Sequence, residues 1–355
     1  MEPAIRALCE RVRTAAAAGQ ALRIRGGGTK DFYGNSPVGE LLELQELRGV
    51  VAYEPSELVV TARGGTPLAQ LEQLLADQQQ MLAFEPPHFG AAATVGGCVA
   101  AGLAGPRRAA NGYARGGVRD FLLGAKLIDG RGQLLAFGGT VMKNVAGFDV
   151  ARLLAGSLGI LGVIAEVSVK VLPMPAAQKT LRFALNEAAA LTQLQNWQML
   201  PLPISASCWL DGQLTIRLSG ARAAVAAARS NLGGELLDEV GFWTDVREQQ
   251  LDYFGGNSPL WRISLPATAP ALNLTGSQLI EWGGALRWLR SPLPADTIRE
   301  HARLSGGHAT LFRGGERSAG VFSPLAPALA AIHRRLKAEF DPCGIFNPGR
   351  MYADL

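Results

Sequence analysis

Charge is scarce in this chain. Lys, Arg, Asp and Glu make up 18% of its 355 residues, against about 25% in ordinary soluble domains. The 34 basic residues barely outnumber the 30 acidic ones, and no basic run exceeds Arg107-Arg108 or Arg334-Arg335. That argues against a nucleic-acid groove. Cysteine is sparse too. Cys9, Cys98, Cys208 and Cys343 lie far apart with no C-x-x-C pair, so neither a zinc site nor an iron–sulfur cluster fits; four reduced cytosolic thiols are expected. The uncharged apolar stretch Leu153 to Ala165 has 13 residues and three glycines, short of the roughly 20 that span a bilayer. The amino terminus has no basic region followed by an apolar one, so no secretory signal is expected. Neither G-x-x-x-x-G-K-[ST] nor G-x-G-x-x-G occurs, which sets aside the P-loop and Rossmann schemes.

Glycine, by contrast, is abundant and unevenly placed. Of 43 glycines, 26 fall in residues 1–172 and 15 in residues 173–340. The first half therefore uses backbone freedom for turns and close approaches. With 48% apolar residues, the length allows two or three domains, each with a core.

Residues 3–18 carry Ile5, Leu8, Cys9 and Val12 at helical spacing. Leu22 to Arg25 alternates like a strand, and further strands are expected at 41–47, 50–53, 57–62, 121–128, 134–137 and 163–172. Pro67 opens a helix reaching about Gln79. From Thr180 the pattern becomes strand, helix, hairpin around Asp211-Gly212, and Ala-rich helix, the start of a ferredoxin-like layer. More strands fit 260–265, 276–282, 285–289 and 309–312, with helices at 243–254, 295–304 and 325–340.

Three glycine-rich blocks stand out. Gly26-Gly27-Gly28-Thr29 follows a strand; its successive N–H groups suit a nest around a phosphate, or an ordinary tight turn. Ala93-Thr94-Val95-Gly96-Gly97 opens a run of small residues with backbone open to a large planar or diphosphate ligand. Gly156-Ser157-Leu158-Gly159-Ile160-Leu161-Gly162-Val163-Ile164 repeats that logic. Each block alone is also compatible with close backbone packing.

The series Arg25–Thr29, Ala93–Gly97, Val118-Arg119-Asp120 and Gly156–Gly159 resembles the PCMH-type FAD-binding domain of the vanillyl-alcohol oxidase family. The tail Phe340-Asp341-Pro342-Cys343-Gly344-Ile345-Phe346-Asn347-Pro348-Gly349-Arg350 resembles that family's C-terminal return. Lys143-Asn144-Val145-Ala146-Gly147-Phe148-Asp149 is closer still to glycolate oxidase flavin subunits, most of all the smaller, E-type one. The resemblance implies an α+β fold: a two-subdomain FAD-binding domain (1–172), a smaller ferredoxin-like cap (173–335) and a tail returning to the first domain (336–355). It implies FAD held by Arg25, Gly26, Gly27, Gly28, Thr29, Pro86, Thr94, Val95, Gly96, Gly97, Gly156, Ser157, Gly159, Gly162, Val163, Ile164 and Asn347. It also implies a sister FAD subunit, an iron–sulfur subunit, a small 2-hydroxy acid as substrate, and a cytoplasmic site, free or held at the inner membrane face through those partners.

Two departures sharpen this. Family members with covalent flavin often carry His in the first glycine loop, where Thr29 and Lys30 stand here; noncovalent FAD is expected. Relatives that oxidise 2-hydroxy acids carry an H-x-H metal pair in the cap. His88, His301, His308 and His333 form none, so no metal is expected. His308 and Lys143 remain as catalytic candidates, and Arg107, Arg108 and Arg119 suit either a substrate carboxylate or local ion pairs. Two readings stay open: an accessory flavin subunit whose sister performs the oxidation, and a self-sufficient FAD-dependent 2-hydroxy-acid dehydrogenase.

Overall fold

The computed structural model describes residues 2–110, 116–139, 149–238 and 241–355. Helix α1 (Pro3–Ala18) buries Ile5, Cys9, Val12 and Ala15 along one stripe, starts on Pro3 and stops at Gly19 in the left-handed region. Both ends follow from residue type, since Pro is preorganised at the first helical position and Gly tolerates positive φ. Strands β1 (Leu22–Arg25) and β2 (Glu40–Glu43) pair in parallel, Leu22 opposite Glu40.

Next come β3 (Val50–Glu54), β4 (Val59–Arg63), α2 (Leu68–Asp77), β5 (Gln80–Met81), α3 (Val95–Ala101) and α4 (Val118–Phe121). They are followed by β6 (Leu122–Ile128), β7 (Leu134–Gly138), β8 (Val163–Lys170) and β9 (Leu172–Pro173). Five of these strands form an antiparallel sheet in the order β3-β4-β8-β6-β7, and β5 pairs with β9. Central β8 is buried from Val163 to Val169 because both faces of the sheet are covered. Leu68, Leu71, Leu75 and Val99 pack on one side. Ile5, Val12 and Leu42 pack with Val163 and Ala165 on the other. Each such Leu or Ile contributes roughly 1.5–3 kcal/mol when fully buried.

The small-residue run behaves differently from the open backbone expected of it. Residues 95–101 are helical, with Thr94 as N-cap accepting from the Gly97 N–H at 3.2 Å. Glycine is weak in helices, but a Cβ on Gly96 would lie 2.8 Å from the Gly64 carbonyl oxygen. Close helix-to-backbone packing overrides propensity.

The second half contains β10 (Ala177–Ala184), α5 (Glu187–Gln198), β11 (Ile204–Leu210), β12 (Gln213–Gly220), α6 (Arg222–Leu232), β13 (Glu235–Leu236) and α7 (Phe242–Glu248). It continues with β14 (Leu260–Ser264), β15 (Ser277–Glu281), β16 (Leu286–Arg290), α8 (Ala295–Leu304) and β17 (His308–Arg313). All eight strands join one antiparallel sheet, ordered β13-β10-β12-β11-β15-β16-β14-β17. This is larger than the expected single layer. It reads as two ferredoxin-like units joined edge to edge through β11 and β15, the second lacking a helix after its first strand.

One face of the cap sheet is covered by α5, α6 and α8. The other packs against the first half through Tyr33, Leu103, Leu158, Trp288 and Phe312. Glu85, held at φ +44°, fixes this seam. Its carboxylate accepts from the Arg107 backbone N–H at 3.0 Å and from Arg217 Nη2 at 2.9 Å. Helix α9 (Pro327–Phe340) leads into the tail, where buried Lys337 donates to Asp341, Ile160 O and Phe346 O at 2.7–2.8 Å. Leu22 then donates to Ile345 O, returning the chain to β1.

Candidate functional site

Where β1 ends, the Gly26–Thr29 loop, α3, residue 158 and the tail line a cleft open to solvent. The loop is pressed onto its neighbour: a Cβ on Gly27 would fall 1.5 Å from the Ala92 carbonyl oxygen, and Gly28 sits at φ +71°. Side chains at these positions are excluded by contact and by conformation. Among the described residues, the amides of Gly26, Gly27, Gly28, Thr29 and Lys30 donate to nothing. Five consecutive unengaged N–H groups form a nest for an anion.

The other two glycine blocks behave otherwise. Val95 and Gly96 donate to Thr66 O and Gly64 O at 2.9 and 2.7 Å; Gly156 and Leu158 donate to Val99 O and Ala100 O at 3.0 and 2.9 Å. Their glycines serve backbone-on-backbone packing that shapes the cleft's walls.

Arg23, Arg25, Lys30 and Arg350 line the cleft beside a single carboxylate, Asp31. Asp31 Oδ2 pairs with Arg23 at 2.6 Å and with Arg25 at 3.2 Å. The Arg25 guanidinium lies over Gly28, 2.3 Å from where a Cβ would be. Arg350 donates to the carbonyls of Asn35, Asp31 and Lys30. Burial lowers its pKa to about 10, still charged at neutral pH. Burial also lowers that of Lys30, whose ammonium donates to His88 O at 3.1 Å and Thr29 Oγ1 at 3.4 Å and lies 5.6 Å from the Phe89 ring centroid. Asn347 accepts the Ile24 N–H at 2.8 Å and donates to Leu158 O at 2.7 Å, fixing the far wall.

Of the expected cofactor residues, Arg25, Gly26, Gly27, Gly28, Thr29, Thr94, Gly97 and Asn347 come together in this cleft. Pro86, Val95, Gly96, Gly156, Ser157, Gly159, Gly162, Val163 and Ile164 are not among its lining residues. Val163 and Ile164 are buried in β8, opposite Ile128 and Leu127. Sequence reasoning missed Arg23 and Asp31. Arg23 had a signal, since it shares a strand face with Arg25 two residues on.

Of the two catalytic candidates, the one that is described does not line the cleft. His308 is exposed at the start of β17, and Lys143 lies outside the described residues. Arg107 is buried against Glu85 at 3.3 Å, which settles it as a local pair. The His88 ring is paired with Glu72 at 2.8 Å.

Beyond Lys30 the seam with the cap is filled by rings. Phe32 meets Phe89 and Phe312 at 5.6 and 5.4 Å between centroids, and Trp288 meets Phe312 at 4.8 Å. Behind them, burial raises the pKa of Glu281 to about 7, a rise held back by the Trp288 hydrogen bond and by Arg262. Among the described residues no cluster of His, Cys, Asp and Glu is placed to hold a metal, and no helix is long and apolar enough to cross a membrane.

A glycine-loop cleft at the end of β1, beside a five-stranded sheet and under an antiparallel cap, defines a PCMH-type FAD-binding flavoprotein. p-Cresol methylhydroxylase with substrate bound shares this fold, with a TM-score of 0.71 over 99% of this chain and 87% of that one at 13% identity. Alkyldihydroxyacetonephosphate synthase gives 0.64 over 96% and 74% at 15% identity. Residues 5–138 match the family described as the FAD binding domain. The chain is 51% identical to glycolate oxidase subunit GlcE of Escherichia coli (strain K12) over 351 residues, covering 98% of this chain and 97% of that protein, and it belongs to that subunit's family. It also matches glycolate oxidase subunit GlcD of Bacillus subtilis (strain 168), 32% identical over 174 residues, 47% of this chain and 36% of that protein. It is thus an FAD-binding oxidoreductase.

Proposed function

We propose that this chain is the smaller FAD-bearing subunit of a glycolate oxidase-type complex, which oxidises glycolate to glyoxylate. In this reading a sister flavin subunit carries the main catalytic centre and an iron–sulfur subunit takes the electrons onward. The assembly is cytoplasmic, free or held at the inner membrane face through its partners. The chain divides into an FAD domain (1–172), a cap (173–335) and a returning tail (336–355).

The nest carries the cofactor reading. Unengaged amides of Gly26–Lys30, flanked by four cations and one carboxylate, match the two negative charges of a pyrophosphate. FAD, when bound, supplies a two-electron acceptor. The protein's own part is to hold the phosphates on the nest, pair them with Arg25 and keep the far wall in place through Asn347. None of the described lining residues is His, Cys or Tyr, which supports noncovalent binding.

Placement of the main centre on a sister subunit rests on the ring-filled seam and on the lack of an H-x-H pair. The test is turnover of glycolate and D-lactate with an artificial electron acceptor, by the purified chain alone and after copurification with its partners. Turnover only in the complex is expected. Comparable turnover by the lone chain would replace this reading with the self-sufficient dehydrogenase.

A further inference from the structure

The cofactor cleft carries an anion of its own. Asp31 stands among the four cations that line it, with Oδ2 2.6 Å from Arg23 Nη2 and 3.2 Å from Arg25 Nε. Its backbone N–H donates to Gly28 O at 3.1 Å, so the turn that presents the nest amides also carries the carboxylate. Arg23 and Arg25 lie two apart on β1, on one side of the strand. Two guanidinium groups placed that way repel each other, and Asp31 is the carboxylate beside them.

The two contacts are unequal. Arg23 donates to Asp31 in a short charge-assisted hydrogen bond. Arg25 makes no hydrogen bond among the described residues, and its buried Nε is without a hydrogen-bond partner, so charge attraction alone ties it to Asp31. It lies instead against the nest. A Cβ on Gly28 would stand 2.3 Å from Arg25 Nη2 and 2.5 Å from Nε, so the lack of a side chain at 28 is what admits the guanidinium there. A phosphate on the unengaged amides of Gly26–Lys30 meets the same group. Phosphate oxygens can take two parallel N–H bonds from an arginine, whereas Asp31 receives none from Arg25.

We propose that Asp31 is a resident counter-anion of the cofactor cleft: in the flavin-free chain it balances Arg23 and Arg25, and when a diphosphate binds it yields Arg25 to the phosphate and keeps Arg23. The proposal rests on the reading that the nest takes the pyrophosphate of FAD. Its consequence is a trade. The carboxylate steadies the flavin-free chain and works against the bound phosphates, so its removal tightens binding while loosening the protein without ligand. A carboxylate that served only to orient the two arginines would act the other way, and binding would weaken on its removal.

The experiment is calorimetric titration of the full chain, stripped of flavin, with FAD and with inorganic pyrophosphate, and a thermal melt of each sample. Asp31→Asn is expected to bind both roughly threefold tighter, the scale of one partly exposed ion pair. It is expected to melt below wild type without ligand, and saturating pyrophosphate closes the gap. Asp31→Ser is carried in parallel and keeps the test open if Asp31→Asn fails to fold. In an Arg25→Met background the gain from Asp31→Asn is expected to shrink, because the group handed over is missing. Weaker or unchanged binding by the folded Asp31 variants, or an equal gain with and without Arg25, would overturn the proposal. Gly27→Ala reads the nest separately. If it leaves pyrophosphate binding intact, the cofactor placement falls and this proposal with it; if it weakens binding and the Asp31 variants do so too, this proposal alone is defeated.

Discussion

Asn347 in the tail accepts the backbone N–H of Ile24 at 2.8 Å, across 323 residues of sequence. The same side chain donates to Leu158 O, so one amide joins the strand before the glycine nest, the wall opposite it and the C-terminal return. Asn tolerates the φ of +41° found there. Asn347→Leu removes both bonds and leaves a buried N–H and carbonyl unpaired, a loss of about 1–3 kcal/mol for each unpaired group. FAD affinity and melting temperature are both expected to fall. Fluorescence titration with FAD and a thermal melt check this; unchanged FAD affinity would show that the wall does not shape the cleft.

Gly27→Ala tests the nest directly. Its Cβ would overlap the Ala92 carbonyl, so the loop must move and its amides lose their common aim. At least a tenfold loss of FAD affinity is expected, with the cap undisturbed. Flavin content after purification and a circular dichroism spectrum read the two effects separately.

Glu85 ties the seam through two buried guanidinium groups. Burial alone would raise its pKa, but Arg217 and Arg107 more than offset that and hold it below the ordinary value. The stabilisation is therefore present above the unfolded carboxylate range and is lost as pH falls through the folded value. Glu85→Gln leaves Arg107 and Arg217 without their counter-charge, at a cost of roughly 3–5 kcal/mol. A thermal melt of the variant at neutral pH is expected to show a large drop that narrows towards wild type in acid.

Glu281 has the opposite sign. Burial places its folded pKa at about 7, above the unfolded value near 4.3. Its contribution is thus present in full below that unfolded value and is lost as pH rises to about 7, on the order of 3 kcal/mol. Glu281→Gln is expected to remove this loss, so the variant gains on wild type between pH 5 and pH 8. Parallel thermal melts across that range check it; curves that keep a constant offset would show that Glu281 is not the titrating group.

The nest is legible in the sequence because three glycines directly after a strand leave amides with no local partner. Thr94–Gly102 is less so. Its glycines suggest open loop, and only contact with Gly64 explains why a helix forms there. The cap's doubling is hidden because its second half replaces a helix with the turn-rich stretch between β14 and β15, which breaks any repeat. Asp31 and Arg350 join the site through pairing and return of the chain, neither of which has a local signal.

The most direct measurement is the flavin itself, read in the purified chain before and after acid denaturation. The account predicts a yellow protein with one FAD per chain, all released into the supernatant when the protein is precipitated. A colourless protein that takes up no added FAD, or a yellow precipitate retaining the flavin, would contradict it.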